Sequence, residues 1–234
     1  MKKFYTLVSA AEIDGGFAIE LDGKPVKTPS RTTLLAPSQP IADIVVQEWI
    51  SQDETIDPET MPITQILTTW LDRVVRDREV MHPQVMAYLD TDLICYFHDD
   101  ETQDVYKWQA EAWEPWHKWF KDRFGEELSR TSGLAALKQR DAARTSVEEQ
   151  VNGYDDLAFT VLQLVTALSG SLVLALAFMR DEITEEQIFK AAFVEELYRA
   201  ELYNEELHGH APHQEKKMKS MRRDLTACRN ILRS

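Results

Sequence analysis

Apolar and polar side chains alternate over the first 37 residues. In GFAIELDGKPVKTP, Phe17, Ile19 and Leu21 fall on one face and Ala18, Glu20 and Asp22 on the other, the period-2 pattern of a half-buried strand. Asp22-Gly23 supplies hairpin turn chemistry, because glycine takes positive φ without a Cβ clash. Pro25 and Pro29 confine the returning strand to an edge. With FYTLVS before this stretch and TTLLAP after it, a small antiparallel meander is predicted.

From Ser38, a plausible N-cap, the period changes to that of a helix. Ile41, Ile44, Val45 and Trp49 form one stripe, and Trp49 is expected to anchor that helix to the sheet. After DPETMP, the residues Ile63, Ile66, Leu67, Trp70, Leu71, Val74 and Val75 repeat at helical spacing, the cleanest amphipathic signal in the chain. Further helices are predicted over Pro83–Asp90, over 101–124 with Gly125 as its stop, and near 139–151, 155–168, 171–180, 184–207 and 213–232. The expected fold is α+β: a small N-terminal antiparallel β-rich domain with packed helices (1–80), then a larger all-helical domain (81–234), with the seam between 60 and 85.

LAFTVLQLVTALSGSLVLALAFM (157–179) runs 23 residues without a charge, long enough for a bilayer. The central Ser-Gly-Ser and the absence of a one-sided basic flank favour two short buried helices joined near Gly170. No membrane partner is expected.

Charge narrows the function classes. The chain carries a net −14, which repels nucleic acid and anionic membranes and favours cationic partners. Residues 213–234 are the exception, with seven basic and two acidic side chains. There Met218, Met221, Leu225, Cys228 and Leu232 recur at helical intervals, so a packed amphipathic helix with ion-paired edges is preferred over a nucleic-acid arm. Cys95 and Cys228 are the only cysteines and form no CxxC motif, which fits a reducing compartment. MKKFYTLVSAAEIDGG reads as a strand and not a leader.

Candidate chemistry is sparse. Glu-x-x-His, the spacing of di-iron helical bundles, occurs at Glu79/His82, Glu114/His117 and Glu205/His208. A carboxylate-bridged metal enzyme is therefore the alternative reading, although a proline or glycine lies within or directly after each pair. HGHAPH (His208, His210, His213) could catch a divalent ion only adventitiously. GxSxG, GxxxxGK[ST] and GxGxxG do not occur, so neither cofactor nor catalytic residue is expected. Six aromatics crowd Tyr106–Phe120. Gln109, Trp113, Trp116 and Phe120 share a core stripe, which leaves Trp108 and Trp119 as candidates for partner contact. In AYLDTDLICYFHDDETQD (87–104), Asp90 and Asp92 are expected to cap backbone or meet Arg73 or Arg76. Asp92 is the most plausible functional residue of that stretch.

Several blocks in order resemble one family, the assembly chaperones that bind the alpha subunit of the F-type ATP synthase head. They are FYTLVS, GFAIELDGKPVKTPSRTTLLAP, EWISQDETIDPETMPITQI with TTWLDRV, YLDTDLICY, GSLVLALAF and ITEEQIFKAAFVEELY. LDG-x-P-x-x-TP and EW-x-x-Q…MP are the specific ones. The resemblance implies a two-domain fold and a non-enzyme that holds the free alpha subunit until the beta subunit replaces it, without using ATP. It also implies work inside mitochondria for eukaryotic relatives and, with no leader read here, a bacterial cytoplasmic location for this chain. A carboxylate of the family's glutamate-rich helix carries over to Glu195 or Glu196 in FVEELYRAELYNEE. The chain departs from the family pattern at Arg199 and at Tyr203-Asn204. The expected partner residues are Glu195, Glu196, Asp92, Trp108 and Trp119, on a monomer.

Overall fold

The computed structural model describes residues 1–202 and 212–234. Glu205, His208 and His210, with the side chain of His213, lie outside the described residues. An antiparallel sheet precedes a mostly helical remainder, an α+β architecture. Two compact units divide the chain: Met1–Arg78 with Asp156–Val161 and Thr226–Ser234, and Glu79–Asp155 with Leu162–Leu225.

In the first unit β1 (Val8–Ile13) and β2 (Gly16–Leu21) pair antiparallel, Val8 opposite Leu21 and Ile13 opposite Gly16. The short strands β3 (Lys24–Pro25) and β4 (Leu35–Ala36) both pair with β2. Asp22 and Gly23 take φ of 49° and 74°, which suits a type I′ turn and its match to strand twist. Asp22 also receives the Thr6 and Leu7 amides at 3.1 and 2.8 Å. Those bonds hold its carboxyl below the usual range. Gly16 is required by packing: a Cβ there would lie 2.3 Å from the Ala36 carbonyl oxygen.

Helix α1 (Gln39–Ile50) starts at Ser38, whose hydroxyl accepts from the Ile41 amide, and buries Ile41, Val45 and Trp49. The Tyr5 hydroxyl donates to the Trp49 carbonyl at 2.7 Å, and the two rings meet edge-on at 5.7 Å. The EWISQDETIDPETMPIT block then ties a knot. Glu48, nearly buried, accepts from the Ile63 and Thr64 amides at 2.7 and 2.8 Å, capping α2 (Pro62–Thr69) from a distance in sequence. Gln52 bonds the Glu48 carbonyl, the Thr60 hydroxyl and the Asp57 amide. Two polar side chains thus tie down both ends of the connecting loop.

A π-turn (Trp70–Val74) leads from α2 into α3 (Val75–Ala87). Asp72 in that turn takes the Thr28 hydroxyl and the Ser30 amide. Burial pushes its carboxyl up, but these bonds outweigh it and the pKa ends lowered. The expected helix start at Pro83 is not observed, because Pro83 lies inside α3. Proline there forfeits one backbone bond, and burial of Met81, Val85 and Met86 on the same helix offsets the loss.

The second unit is helical. Its described helices are α4 (Asp104–Phe124), α5 (Asp141–Asn152), α7 (Leu172–Met179), α8 (Glu185–Ala192) and α9 (Val194–Leu202), with parts of α3, α6 (Asp156–Ser169) and α10 (Pro212–Arg233). The uncharged run 157–179 becomes α6 and α7 with Gly170 at φ 70° between them. Among the described residues no helix is long and apolar enough to cross a membrane. The predicted single helix over 184–207 breaks at Phe193 (φ −114°, ψ 19°). There Phe193 is buried and its ring meets Phe189 at 5.0 Å, so packing overrides propensity. The basic edge of α10 is engaged, with the Arg222 guanidinium 3.4 Å from the Phe189 centroid and bonded to Glu186.

Helix α7 is apolar throughout, and Leu172–Phe178 are all buried. Its N-terminal amides cannot reach water, so side chains must satisfy them. The Ser171 hydroxyl accepts from Leu174 at 3.0 Å, and Asp92 accepts from Val173 at 3.0 Å and from Ile94 at 3.3 Å. The Leu93 amide closes the joint on the Gly170 carbonyl at 3.0 Å. Burial raises the Asp92 carboxyl to about 6 in spite of these donors. Asp90 meets Arg144, and not Arg73 or Arg76, and accepts from the Gln139 amide at 3.0 Å.

Asp92→Ala should cost about 2–4 kcal/mol in urea denaturation, because buried amides of Val173 and Ile94 lose their acceptor. Asp92→Asn isolates the charge. The folded pKa lies above the unfolded value near 4, so the folded state alone holds the proton between roughly pH 4 and 6. The contribution of Asp92 is greatest below that window and is lost as pH rises through it. Wild-type stability relative to the Asn variant should therefore fall by roughly 2 kcal/mol from pH 4 to 7. A flat difference would remove the buried-carboxyl account.

Candidate functional site

Within the second unit a groove of about 850 Å³ lies between α4 and the α8–α9 pair. Its α4 wall carries Trp108, Ala112, Pro115 and Trp116, and its α8–α9 wall Ala191, Val194, Leu197 and Ala200. Glu111, Gln187, Lys190 and Glu201 supply the polar lining. Small residues alternate with large ones, so the floor stays open between ridges of indole and aliphatic carbon.

The walls are fixed by buried polar bonds. Gln109, Trp113, Trp116 and Phe120 are the buried stripe of α4, as the spacing predicts. The Trp113 indole N–H donates to the Ala191 carbonyl at 2.9 Å, at the end of α8, where the helix would otherwise leave that group without a partner. The Thr184–Gln187 capping box fixes the other end of α8.

Gln109 is a bridge. Its side-chain oxygen accepts from the His98 amide at 2.7 Å, and its amide group donates to Glu195 at 2.9 Å. Glu195 is thereby drawn toward α4 with its side chain still about half exposed. Its second oxygen lies 3.8 Å from Arg199, a loose i,i+4 pair of little energetic weight. The Phe193 break restarts the helix at Val194, which sets the phase in which Glu195 meets Gln109. Trp108 faces Tyr198 with ring centroids 5.9 Å apart.

The predicted partner residues separate. Trp108 lines the groove, Glu195 reaches α4 through Gln109, and Glu196 is half-buried on α9. Asp92 is a correction: it is wholly buried at the head of α7 and offers a partner no surface. Trp119 does not line the groove, and its indole N–H donates to Glu182. That bond, followed by Arg180, holds the Glu182 carboxyl below its usual range. Gln109, Pro115, Lys190 and Leu197 were not foreseen as site residues. The available signal was Gln109, a polar residue in an otherwise aromatic stripe.

The metal reading finds no convergence. Among the described residues no group of three or more His, Cys, Asp or Glu could hold an ion. His117 donates to the Ile94 carbonyl at 2.7 Å and accepts from Arg130, which also pairs with Glu114. Burial lowers its pKa to about 4, so its ring is neutral and structural. A second, more open concavity of about 790 Å³ is lined in part by Arg123, Glu149, Tyr154 and Arg180. Glu149 on its wall and Glu182 paired to Arg180 offset its two guanidinium groups.

Residues 2–121 match the model of the ATP12 chaperone protein family. The chain belongs to that family. The matched span covers the α4 wall of the groove and ends before α8 and α9. Mitochondrial Atp12 of Schizosaccharomyces pombe is 20% identical over 197 residues, which are 80% of this chain and 68% of that protein. The crystal structure of Atp12 from Paracoccus denitrificans has a TM-score of 0.83 at 27% identity, covering 99% of this chain and 96% of that one. A protein of Agrobacterium tumefaciens described as a candidate chaperone has a TM-score of 0.89 at 29% identity, covering all of this chain and 85% of that one.

Gln109→Leu keeps the volume and removes both bonds of the bridge. It should cost about 1–3 kcal/mol in thermal or urea unfolding, since the His98 amide loses its acceptor. Unchanged stability would show that the bridge does not hold the wall.

Proposed function

We propose that this chain is an ATP-independent assembly chaperone that holds the free alpha subunit of the F-type ATP synthase until the beta subunit takes its place. Family membership supports the chaperone class. The observation that carries the site is an open apolar groove with a carboxylate, Glu195, held beside it by a buried glutamine. A subunit whose neighbour is missing exposes an interface, and that surface needs cover that can later be displaced. A groove of aromatic and small aliphatic side chains, rimmed by Glu111, Glu201 and one lysine, gives such cover. The net charge of −14 favours a cationic client patch.

The test is capture of purified alpha subunit by the tagged chain in nucleotide-free buffer. Free alpha subunit should be retained, the assembled head should not, and added beta subunit should release the client. Trp108→Ala together with Leu197→Ala should weaken capture about tenfold or more, the scale of a buried anchor. Glu195→Lys and Glu196→Lys should also weaken it without unfolding. Trp119→Ala should leave capture intact. Retention of the head alone, or of nothing, would overturn the assignment.

A further inference from the structure

The first unit has a sheet edge with no guard. Strand order places β1 at an edge, paired only with β2. The Asp22 amide donates to the Leu7 carbonyl at 2.9 Å, which fixes the phase of the ladder. Leu7, Ser9, Ala11 and Ile13 turn their backbone groups toward β2, so Val8, Ala10 and Glu12 turn theirs outward. Among the described residues no backbone group is paired to these three from outside the sheet. Natural edges are protected by proline, lysine, a bulge or a covering element. The segment Val8-Ser9-Ala10-Ala11-Glu12-Ile13 contains neither proline nor lysine, and its register with β2 runs without a bulge.

The side chains beside this edge specify an occupant. Ile19 and Leu21 of β2 are buried opposite Ala10 and Val8, so that face is the core. The opposite face presents Leu7, 61% exposed, and Ile13, 45% exposed, with the small Ser9 and Ala11 between them. Glu12, on the face of Val8 and Ala10, and Asp14 in the adjoining turn stand at the Ile13 end, and no ion pair engages them among the described residues. We propose that β1 is a second docking surface, which accepts by strand addition an extended client segment alternating apolar residues with lysine or arginine. The new strand would bond to Val8, Ala10 and Glu12 through its backbone. Its apolar side chains would cover Leu7 and Ile13, and its cations, on the other face, would meet Glu12. A second copy of this chain fits less well, since two bodies of −14 repel. The source of the segment, an unassembled subunit, rests on the chaperone reading; the edge itself does not.

The test uses the whole chain and a fluorescein-labelled octapeptide of alternating lysine and valine, read by anisotropy. A glutamate–valine octapeptide serves as the control. The lysine peptide should bind at least tenfold tighter, weaken with salt, and slow hydrogen exchange at Val8, Ala10 and Glu12. Ala10→Pro removes an outward N–H that the native sheet does not use and should lower binding at least tenfold. Ala11→Lys, on the outer face, should lower it as well and carries the test if the proline variant fails to fold. Trp108→Ala should leave peptide binding unchanged, which separates this edge from the groove. Equal binding of both peptides, native binding by both β1 variants, or sedimentation showing a dimer abolished by Ala11→Lys would overturn the proposal.

Discussion

A helix buried on every side cannot leave its first amides to water, and α7 is such a helix. Asp92 and Ser171 meet that demand, and much of the second unit is arranged around their doing so. Because Asp92 also caps the turn Leu93–Cys95, the same carboxylate fixes where that turn sits. The Ile94 carbonyl in the turn receives His117 from α4, and the backbone of Cys95 and Phe97 bonds Thr131. One buried carboxylate therefore positions α7 directly and α4 at one remove. Its cost is a charge in a dry site, which the raised pKa records.

Placing α4 makes the groove. With its aromatic stripe buried, α4 presents Trp108, Ala112 and Pro115 on the adjoining face, and Trp113 binds α8 through its indole N–H. Apolar cover with a polar rim suits a client that must be released: association rests on surface burial that a better-fitting subunit can outcompete. On the proposed reading Glu195 would add orientation more than affinity, since a half-exposed carboxylate in water gains little from one partner. In the first unit, Glu48, Gln52 and Asp72 do for α2, the loop after α1 and the loop before β4 what Asp92 does for α7.

The blocks that carry the family resemblance are mostly these joints. EWISQDETIDPETMPITQI holds Glu48 and Gln52, TTWLDRV holds Asp72, YLDTDLICY holds Asp92, and GSLVLALAF holds Ser171 and the buried helix. Each needs a particular polar atom at one place, so a substitution strands buried donors where an apolar exchange would only repack. ITEEQIFKAAFVEELY differs, since it carries Gln187, Lys190, Ala191, Val194 and Leu197 of the groove's α8–α9 wall.

The sequence by itself determined the strand alternation, the Asp22-Gly23 turn, the Ser38 cap, the stop at Gly125, the hinge at Gly170 and the core face of α4. All of these are local: they follow from φ preferences, period and capping within a few residues. Only the tertiary structure decided that α3 runs through Pro83, that the 184–207 segment breaks at Phe193, that Asp92 is interior, and that Gln109 reaches Glu195. The Asp92 and Gln109 outcomes depend on partners 81 and 86 residues away, where the free energy of satisfying a buried polar group exceeds any local preference. No window of sequence contains both members of such a pair.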